Sequence, residues 1–192
     1  MAYSKQIMIL RTALWLFASL AIAQQVPRDA EDLTITYPDG QTKQLADYRG
    51  KVVPVAFISV TCPHCQHTTE ILTHLQNELG PRGLQVLEVA LDPDAKTTVP
   101  GFISQFRPSF PIGFTADYPS VARFLQLPNT QRPLYPLFAV VDRKGVIQFE
   151  ATGRDDILAN EANQEAKLRT ELLRILKESG HQHAAAKTKT GS

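Results

Sequence analysis

The feature that most constrains this chain is a pair of cysteines placed directly after a continuously apolar segment. Residues 52–60 (VVPVAFISV) are apolar and rich in β-branched side chains, as expected of a strand covered on both faces. Cys62 and Cys65 follow at once and are the only two cysteines of the chain. After them, apolar side chains recur at helical spacing, at Ile71, Leu72, Leu75 and Leu79. The sequence therefore predicts that the cysteine pair lies where a central strand ends and a helix begins.

This position gives the two cysteines different chemistry. The unpaired N–H groups and the dipole of a helix N-terminus favour an anion, so Cys62 is predicted to be the nucleophilic thiolate. Cys65 lies one turn further along, where it can attack the mixed disulfide that Cys62 forms with a substrate. Pro63 costs no hydrogen bond at the start of the helix. His64 can give a positive charge or a hydrogen-bond donor to the Cys62 sulfur.

Other roles of a C-x-x-C pair fit the sequence less well. A static disulfide is unexpected at a helix start, and a zinc site that recruits His67 or His74 lacks a second pair of ligands. Haem attachment needs a histidine directly after the second cysteine, where this chain has Gln66. A periplasmic copper-binding chaperone, holding Cu(I) through both cysteines and a nearby histidine, stays open as an alternative because soft thiolates select that ion.

The N-terminal segment has the pattern of a secretory signal peptide. Lys5 and Arg11 precede an uncharged run over residues 12–23, which ends in the small residues that signal peptidase requires. This run is shorter than the roughly 20 residues that span a bilayer. We therefore expect residues 1–23 to be a cleaved signal peptide that leaves no stable membrane span. The protein would be periplasmic or otherwise extracytoplasmic, and membrane-anchored only if the segment is not cleaved.

Composition and charge indicate the domain organisation and exclude one class of partner. The chain is 43% hydrophobic and 20% charged, which fits one globular domain over residues 24–179 followed by a disordered polar tail over residues 180–192. Its 20 Lys and Arg nearly balance 19 Asp and Glu, and no basic stripe suited to nucleic acid is present. Export would place the cysteines in an oxidising compartment, where a disulfide persists. No cofactor is expected besides the redox-active disulfide Cys62–Cys65.

Apolar runs and alternation predict the other elements of an α/β fold. Strands or extended segments are expected at residues 33–37, 84–91, 110–116, 137–141 and 146–152, the last two as an antiparallel pair. Helices are expected near residues 99–106, 120–127 and 160–179. Because Pro54 cannot donate to a ladder, regular pairing of the central strand is expected to start near Val55, or Pro54 to lie at a bulge. Strands alternating with helices, followed by a hairpin and a helix, predict a three-layer sandwich.

Four segments in this order resemble the TlpA/ResA type of exported thiol–disulfide oxidoreductases, within the broader redoxin superfamily. They are residues 45–51 (LADYRGK), the Cys-Pro-His-Cys motif, residues 84–92, and Tyr135-Pro136 followed by residues 137–145 (LFAVVDRKG). The resemblance implies a thioredoxin-like three-layer α/β/α sandwich with a central mixed sheet. It also implies that Pro136 is a cis-proline facing the cysteines and that the backbone of Tyr135 pairs with a substrate strand.

The resemblance further implies an enzyme that exchanges electrons with cysteine pairs on other exported proteins and is itself served by a membrane or periplasmic thiol partner. A protein disulfide reductase is favoured over an oxidase. The histidine of the motif also occurs in the strongly oxidising DsbA type, so a thiol oxidant is an alternative. A thiol peroxidase would need a Pro-x-x-x-Thr-x-x-Cys loop, and the spacing of Pro54 and Thr61 from Cys62 does not provide it.

The chain also departs from the family pattern at three positions. Thr61 replaces a common tryptophan, which predicts a more polar substrate-binding groove. Ala56 and Thr68 stand where relatives carry an acidic residue, so the group that deprotonates Cys65 is left open between His64 and Glu70.

Overall fold

A computed structural model describes residues 26–127 and 134–189, with side chains described up to residue 180. The predicted signal peptide, residues 1–23, lies outside the described residues. Within the described ranges, no helix combines the length and the apolar character needed to cross a bilayer.

The strands of the described residues form one mixed sheet. In chain order they are β1 (Arg28–Asp29), β2 (Thr34–Thr36), β3 (Thr42–Gln44), β4 (Val53–Ile58), β5 (Leu87–Ala90), β6 (Ile112–Phe114), β7 (Leu137–Val141) and β8 (Val146–Thr152). Their order across the sheet is β1-β8-β7-β4-β5-β6-β2-β3. β4 pairs parallel with β5 and antiparallel with β7, and β5 pairs parallel with β6. The carboxyl ends of β4, β5 and β6 and the start of β7 therefore share one edge, which we call the cysteine edge because Cys62 follows β4.

Five α-helices of the described residues cover this sheet. They are α1 (Pro63–Leu79), α2 (Ala95–Phe106), α3 (Tyr118–Phe124), α4 (Asp156–Ala159) and α5 (Glu161–Lys189). Gly80 followed by Pro81 predicts a helix end at this position, and α1 does end at Leu79. The chain continues through a short 3-10 turn over Gly80–Arg82.

Two hydrophobic clusters form the core, one on each face of the sheet. The first packs α1, α2 and α5 against one face, with Leu72 and Leu172 fully buried. The second packs α3 and the β2 region against the other face, where the rings of Phe57 and Phe124 meet edge to face with centroids 5.8 Å apart. Because successive side chains of a strand point to opposite faces, β4 contributes Ala56 to the first cluster and Phe57 to the second. The predicted α/β/α sandwich with a central mixed sheet is confirmed.

The predicted positions of most elements are also confirmed. β7 and β8 have the predicted bounds and pair antiparallel. The turn residues Pro38-Asp39-Gly40 predict a hairpin after the strand at residues 33–37, which β2 and β3 form, and β5 and β6 lie inside the predicted extended segments. Two elements were missed: the two-residue β1, which pairs with β8, and the single turn of α4.

Pro54 differs from the prediction, because it lies inside β4 and pairs with Val140 of β7 without a bulge at that position. Val52 exchanges backbone hydrogen bonds with Gly83 and Gln85 on the other edge of the strand. Backbone groups alternate between edges, so the nitrogen of Pro54 points to the same side as Val52. The parallel pairing of β4 with β5 begins at Val55. Pro54, which has no N–H to donate, therefore lies just before the first residue of that pairing.

Residues 180–189, for which the sequence predicts a disordered tail, continue the backbone of α5 to Lys189 in the structure. The segment contains Ala184, Ala185 and Ala186, and alanine is the strongest helix former. Once a helix is nucleated by its packed part, each further residue is added at little cost, which explains the extension. Residues 190–192 lie outside the described residues.

Candidate active site at the cysteine edge

The loop after β4 presents the two cysteines unequally. Cys62 is the N-cap residue of α1 and is partly exposed, whereas Cys65 is fully buried in the first turn. The Cys62 N–H donates to the Ser59 carbonyl at 3.1 Å, which closes the turn that leads into the helix. Pro63 occupies the first helical position, as predicted. Both cysteines are free thiols, so the structure shows the reduced state.

Burial raises the pKa of the Cys65 thiol well above its usual range. A hydrogen bond with the Cys62 sulfur acts in the same direction, and a backbone hydrogen bond from Ser59 opposes it weakly. Cys65 is therefore a neutral thiol that donates toward Cys62. A partly exposed sulfur at a helix N-terminus, supported by a neighbouring S–H donor, is suited to attack an incoming disulfide, and the buried thiol needs a proton acceptor before it can follow.

Asp92, at the end of β5, holds the loop that carries Cys62. Its Oδ1 accepts from Ser59 Oγ at 2.6 Å and its Oδ2 accepts from the Val60 N–H at 2.9 Å. Thr61 is exposed beside Cys62, with its Oγ1 3.2 Å from Ser59 Oγ. The sequence analysis included Asp92 only as the last residue of the segment 84–92 that carries the family resemblance. Its position at the carboxyl end of the strand next to β4 was the available signal.

His64 is exposed and contacts another helix. Its Nδ1 lies 2.8 Å from Glu161 Oε1, at the start of α5. One turn further, Thr68 Oγ1 donates to the His64 carbonyl and accepts from the buried Gln164 Nε2 of α5, both at 2.8 Å. The first turns of α1 and α5 are thus joined by two contacts that the sequence did not indicate. At Thr68, where the family resemblance predicted an acidic residue, this chain has a hydroxyl group that links the two helices.

A buried carboxyl group lies near the pair, and sequence reasoning missed it. Glu88 of β5 has 0% exposure and pairs across the strands with Ala56, the position where the family resemblance predicted an acid that this chain lacks. Thr69 Oγ1 lies 3.0 Å from both carboxyl oxygens of Glu88 and 3.0 Å from the Cys65 carbonyl oxygen. Burial raises the pKa of Glu88 to about 8. A lone glutamate inside an otherwise apolar strand was the signal that could have identified it.

Glu70, the other acid that the sequence offered, is exposed on α1. Repulsion from the carboxylate of Glu88, by contrast, contributes to the raised pKa of Cys65. Among the candidates, Glu88 is therefore the acid that interacts with the buried cysteine.

The loop before β7 lies at the same edge as the cysteines. The Tyr135–Pro136 bond is cis, as the resemblance implied, and the next residue, Leu137, pairs with Phe57 of β4. Leu134, one of the few large apolar side chains that are exposed in the described residues, is 49% exposed in this loop. Gly153 lies against the loop, since its N–H donates to the Leu134 carbonyl at 2.8 Å and a Cβ on it would stand 2.3 Å from the Tyr135 carbonyl oxygen.

The described residues contain no group of three or more His, Cys, Asp or Glu side chains arranged to hold a metal ion. Nothing in their geometry therefore adds support to the copper-chaperone alternative.

Comparisons with known proteins agree on the fold and the family. The sequence profile of the redoxin family matches residues 23–168. No curated protein matches the chain significantly. A thiol:disulfide interchange protein of the thioredoxin family from Chlorobium tepidum is 18% identical with a TM-score of 0.64, covering 80% of this chain and 99% of its own.

Two other solved structures give the same result. The thioredoxin domain of a thiol-disulfide oxidoreductase from Bacteroides vulgatus is 20% identical with a TM-score of 0.58, covering 75% of this chain and 98% of its own. A thiol:disulfide interchange protein from a Bacteroides species is 21% identical with a TM-score of 0.56, covering 73% and 89%. These likenesses show that the fold is thioredoxin-like.

Proposed function

Because the chain belongs to the redoxin family and carries a C-x-x-C pair, it is a thiol–disulfide oxidoreductase, and we propose that it reduces disulfides of other exported proteins. The observation that carries this proposal is the asymmetry of the pair: Cys62 is accessible at a helix N-terminus, whereas Cys65 is buried one turn deeper. Two thiols with these surroundings act in sequence, one as the attacking sulfur and one as the resolving sulfur.

The first step forms a mixed disulfide. The Cys62 thiolate attacks one sulfur of a substrate disulfide, a Cys62–substrate S–S bond forms, and the other substrate sulfur leaves as a thiolate that takes up a proton. The α1 N-terminus and the Cys65 S–H support the charge on Cys62 before attack. The loop of Leu134 and Tyr135, at the same edge, is where the substrate backbone and an apolar side chain would lie.

The second step releases the substrate. Cys65 loses its proton and attacks the Cys62 sulfur, so that a Cys62–Cys65 disulfide forms and the second substrate sulfur leaves as a thiolate that takes up a proton. The substrate gains two electrons and two protons, and the enzyme is oxidised. We assign the acceptance of the Cys65 proton to Glu88, because Thr69 lies between its carboxyl group and the first turn of α1.

The proposed compartment and partners rest on the sequence. The apolar run ending at residue 23 supports export, where substrate proteins contain disulfides. A reductase in an oxidising compartment must be returned to the dithiol form, so the proposal includes a membrane or periplasmic thiol partner that supplies electrons. Structural relatives described as thiol:disulfide interchange proteins support this class of reaction.

Two measurements on a 24–192 fragment test the proposal. Cys65→Ser should accumulate mixed disulfides with exported proteins, while Cys62→Ser should accumulate none, and equal behaviour of the two variants would contradict the roles. The reduction potential of the pair, measured against glutathione, should lie near thioredoxin's, about −270 mV. A value near DsbA's, about −120 mV, would instead make the protein a thiol oxidant, as the Cys-Pro-His-Cys motif allows.

A further inference from the structure

His64, the residue before the buried Cys65, contacts the carboxylate of Glu161, which lies about 100 residues later in the sequence. His64 Nδ1 lies 2.8 Å from Oε1 of Glu161, the first residue of α5. At this distance Nδ1 carries a proton and donates to the carboxylate. The imidazole of the Cys-Pro-His-Cys motif is thereby occupied by a partner outside the motif.

The contact is built into the packing of two helices. Gln164, one turn after Glu161 on α5, donates to Thr68, one turn after His64 on α1, and both of these polar side chains are buried. Side chains three or four residues apart lie on one face of a helix. The buried bond therefore fixes the face of α5 that presents Glu161 to His64, although the pair itself is 59% and 50% exposed.

His64 lies two residues after Cys62 in the first turn of α1, so the charge of its pair with Glu161 acts on the Cys62 sulfur over a short distance. A lone imidazole beside the sulfur carries between zero and one positive charge, which favours the thiolate and hence the reduced pair. With Glu161 attached, the unit carries zero charge when His64 is protonated and one negative charge when it is not. In both protonation states Glu161 removes positive charge from the neighbourhood of Cys62.

We propose that Glu161 is a positioning residue which, acting through His64, lowers the reduction potential of the Cys62/Cys65 pair. The Cys62/Cys65 pair therefore has a lower reduction potential than it would have if His64 had no carboxylate partner. This inference rests on the proposed reductase function and identifies the contact that sets its direction. It also gives α5 a role at the site beyond covering the sheet.

The test compares reduction potentials at pH 7 and low salt for the wild type and Glu161→Gln. The variant should be more oxidising, with the equilibrium constant against glutathione changed at least threefold, which is about 14 mV for a two-electron couple. Because the pair is exposed, the difference should shrink in 1 M salt, where the screening length is about 3 Å. An unchanged or more reducing potential of Glu161→Gln would overturn the proposal.

Glu165→Gln is the matched control, since Glu165 lies one turn further on α5 and its Oε2 is 3.6 Å from His74 Nδ1, away from the motif. It should leave the potential unchanged, and a shift equal to that of Glu161→Gln would reduce the effect to the general charge of α5 and overturn the proposal. In a His64→Asn background, Glu161→Gln should have no effect. If Glu161→Gln shifted the reduction potential in that background as much as in the wild type, Glu161 would not act through His64, and the proposal would be overturned.

Two further measurements distinguish a variant that fails to fold, a failure of the proposed function and a failure of the present inference. Should Glu161→Gln not fold, Glu161→Ala, which also removes the charge, should show the same shift toward a more oxidising potential, and an unchanged potential of that variant would overturn the proposal. If the wild-type pair does not exchange with glutathione at all, the proposed function fails. If it exchanges at a reducing potential that Glu161→Gln leaves unaltered, only the present inference fails.

Discussion

Thr69 has one hydroxyl proton and three oxygen neighbours, the Cys65 carbonyl and the two carboxyl oxygens of Glu88, all at 3.0 Å. The proton can be donated to only one of them. When Glu88 is protonated, its O–H donates to Thr69 Oγ1 and Thr69 donates to the Cys65 carbonyl, so the buried groups are bonded in series. Thr69 can instead donate to an ionised Glu88, which lowers the pKa of that carboxyl group, but burial acts more strongly and raises the pKa to about 8.

This residue-scale argument predicts the effect of Glu88→Gln on the resolving step. In the wild type, attack of Cys65 on a mixed disulfide should accelerate as pH rises through about 8, because Glu88 then loses its proton and can accept that of Cys65. Loss of a general base typically slows such a step by a factor of about 100 or more. Rapid-quench kinetics of a preformed Cys62 mixed disulfide, at pH 6 to 9, measures this step directly.

Glu70→Gln supplies the control for that measurement, because Glu70 is an exposed carboxylate on the same helix. Its pH profile should match that of the wild type. If Glu88→Gln keeps the acceleration near pH 8, the proton of Cys65 leaves by another route.

At the scale of elements, the Cys62 loop depends on a residue from the neighbouring strand. Asp92→Asn keeps an oxygen for Ser59 but places an N–H donor against the Val60 N–H, which loses its acceptor. We expect the free energy of unfolding to fall by about 1–3 kcal/mol. Alkylation of Cys62 by iodoacetamide at pH 7 should slow several-fold, because the N-cap geometry that supports the thiolate loosens.

Asp94→Asn is the comparison for the Asp92 variant, since Asp94 is exposed and its side chain makes no capping hydrogen bond at the start of α2. It should leave both measurements unchanged. Equal alkylation rates for Asp92→Asn and the wild type would show that the Ser59–Val60 loop does not need the carboxylate.

The loop before β7 depends in a similar way on the residue after β8. In Gly153→Ala the new methyl group would stand 2.3 Å from the Tyr135 carbonyl oxygen, so the loop or the end of β8 must move. We expect a loss of about 1–3 kcal/mol in the free energy of unfolding and slower attack on a peptide disulfide, measured by stopped-flow.

Gly101→Ala provides the contrast for Gly153→Ala, because a Cβ on Gly101 meets nothing within 4 Å inside α2. That variant should gain about 0.5–1 kcal/mol from helix propensity alone and keep the wild-type rate. Equal rates for Gly153→Ala and Gly101→Ala would remove the loop from the substrate-binding step.

These elements also show which parts of the fold and the site could be predicted from the sequence. Apolar runs located β4 and β7, which are buried along their whole length, and the alternation of apolar and polar residues located β8. The position of Cys62 and Cys65 located the start of α1. Contacts such as Gln164 with Thr68 join residues 96 positions apart, and no local pattern specifies which face of α5 meets α1. Glu88 was missed for a related reason, since its meaning depends on the residue opposite it in β4 rather than on its own segment.

For the molecule as a whole, a neutral carboxyl group in the core links folding to pH. The unfolded chain releases the Glu88 proton near the ordinary value of 4.5, whereas the folded chain holds it up to about pH 8. Between these values folding takes up a proton, so the free energy of unfolding contributed by Glu88 falls as pH rises and is lowest above 8. This is opposite to the effect of an exposed, ion-paired carboxylate, whose pKa is lowered by folding.

Glu88→Gln removes this proton uptake and keeps the shape of the side chain. Its free energy of unfolding relative to the wild type should therefore rise between pH 5 and pH 8, by an amount on the order of a few kcal/mol. Urea unfolding of both proteins with reductant present, at several pH values in this window, measures the difference. Two curves that stay parallel from pH 5 to 8 would show that the folded protein does not keep Glu88 protonated, and the predicted acceleration of the Cys65 step near pH 8 would then have no basis.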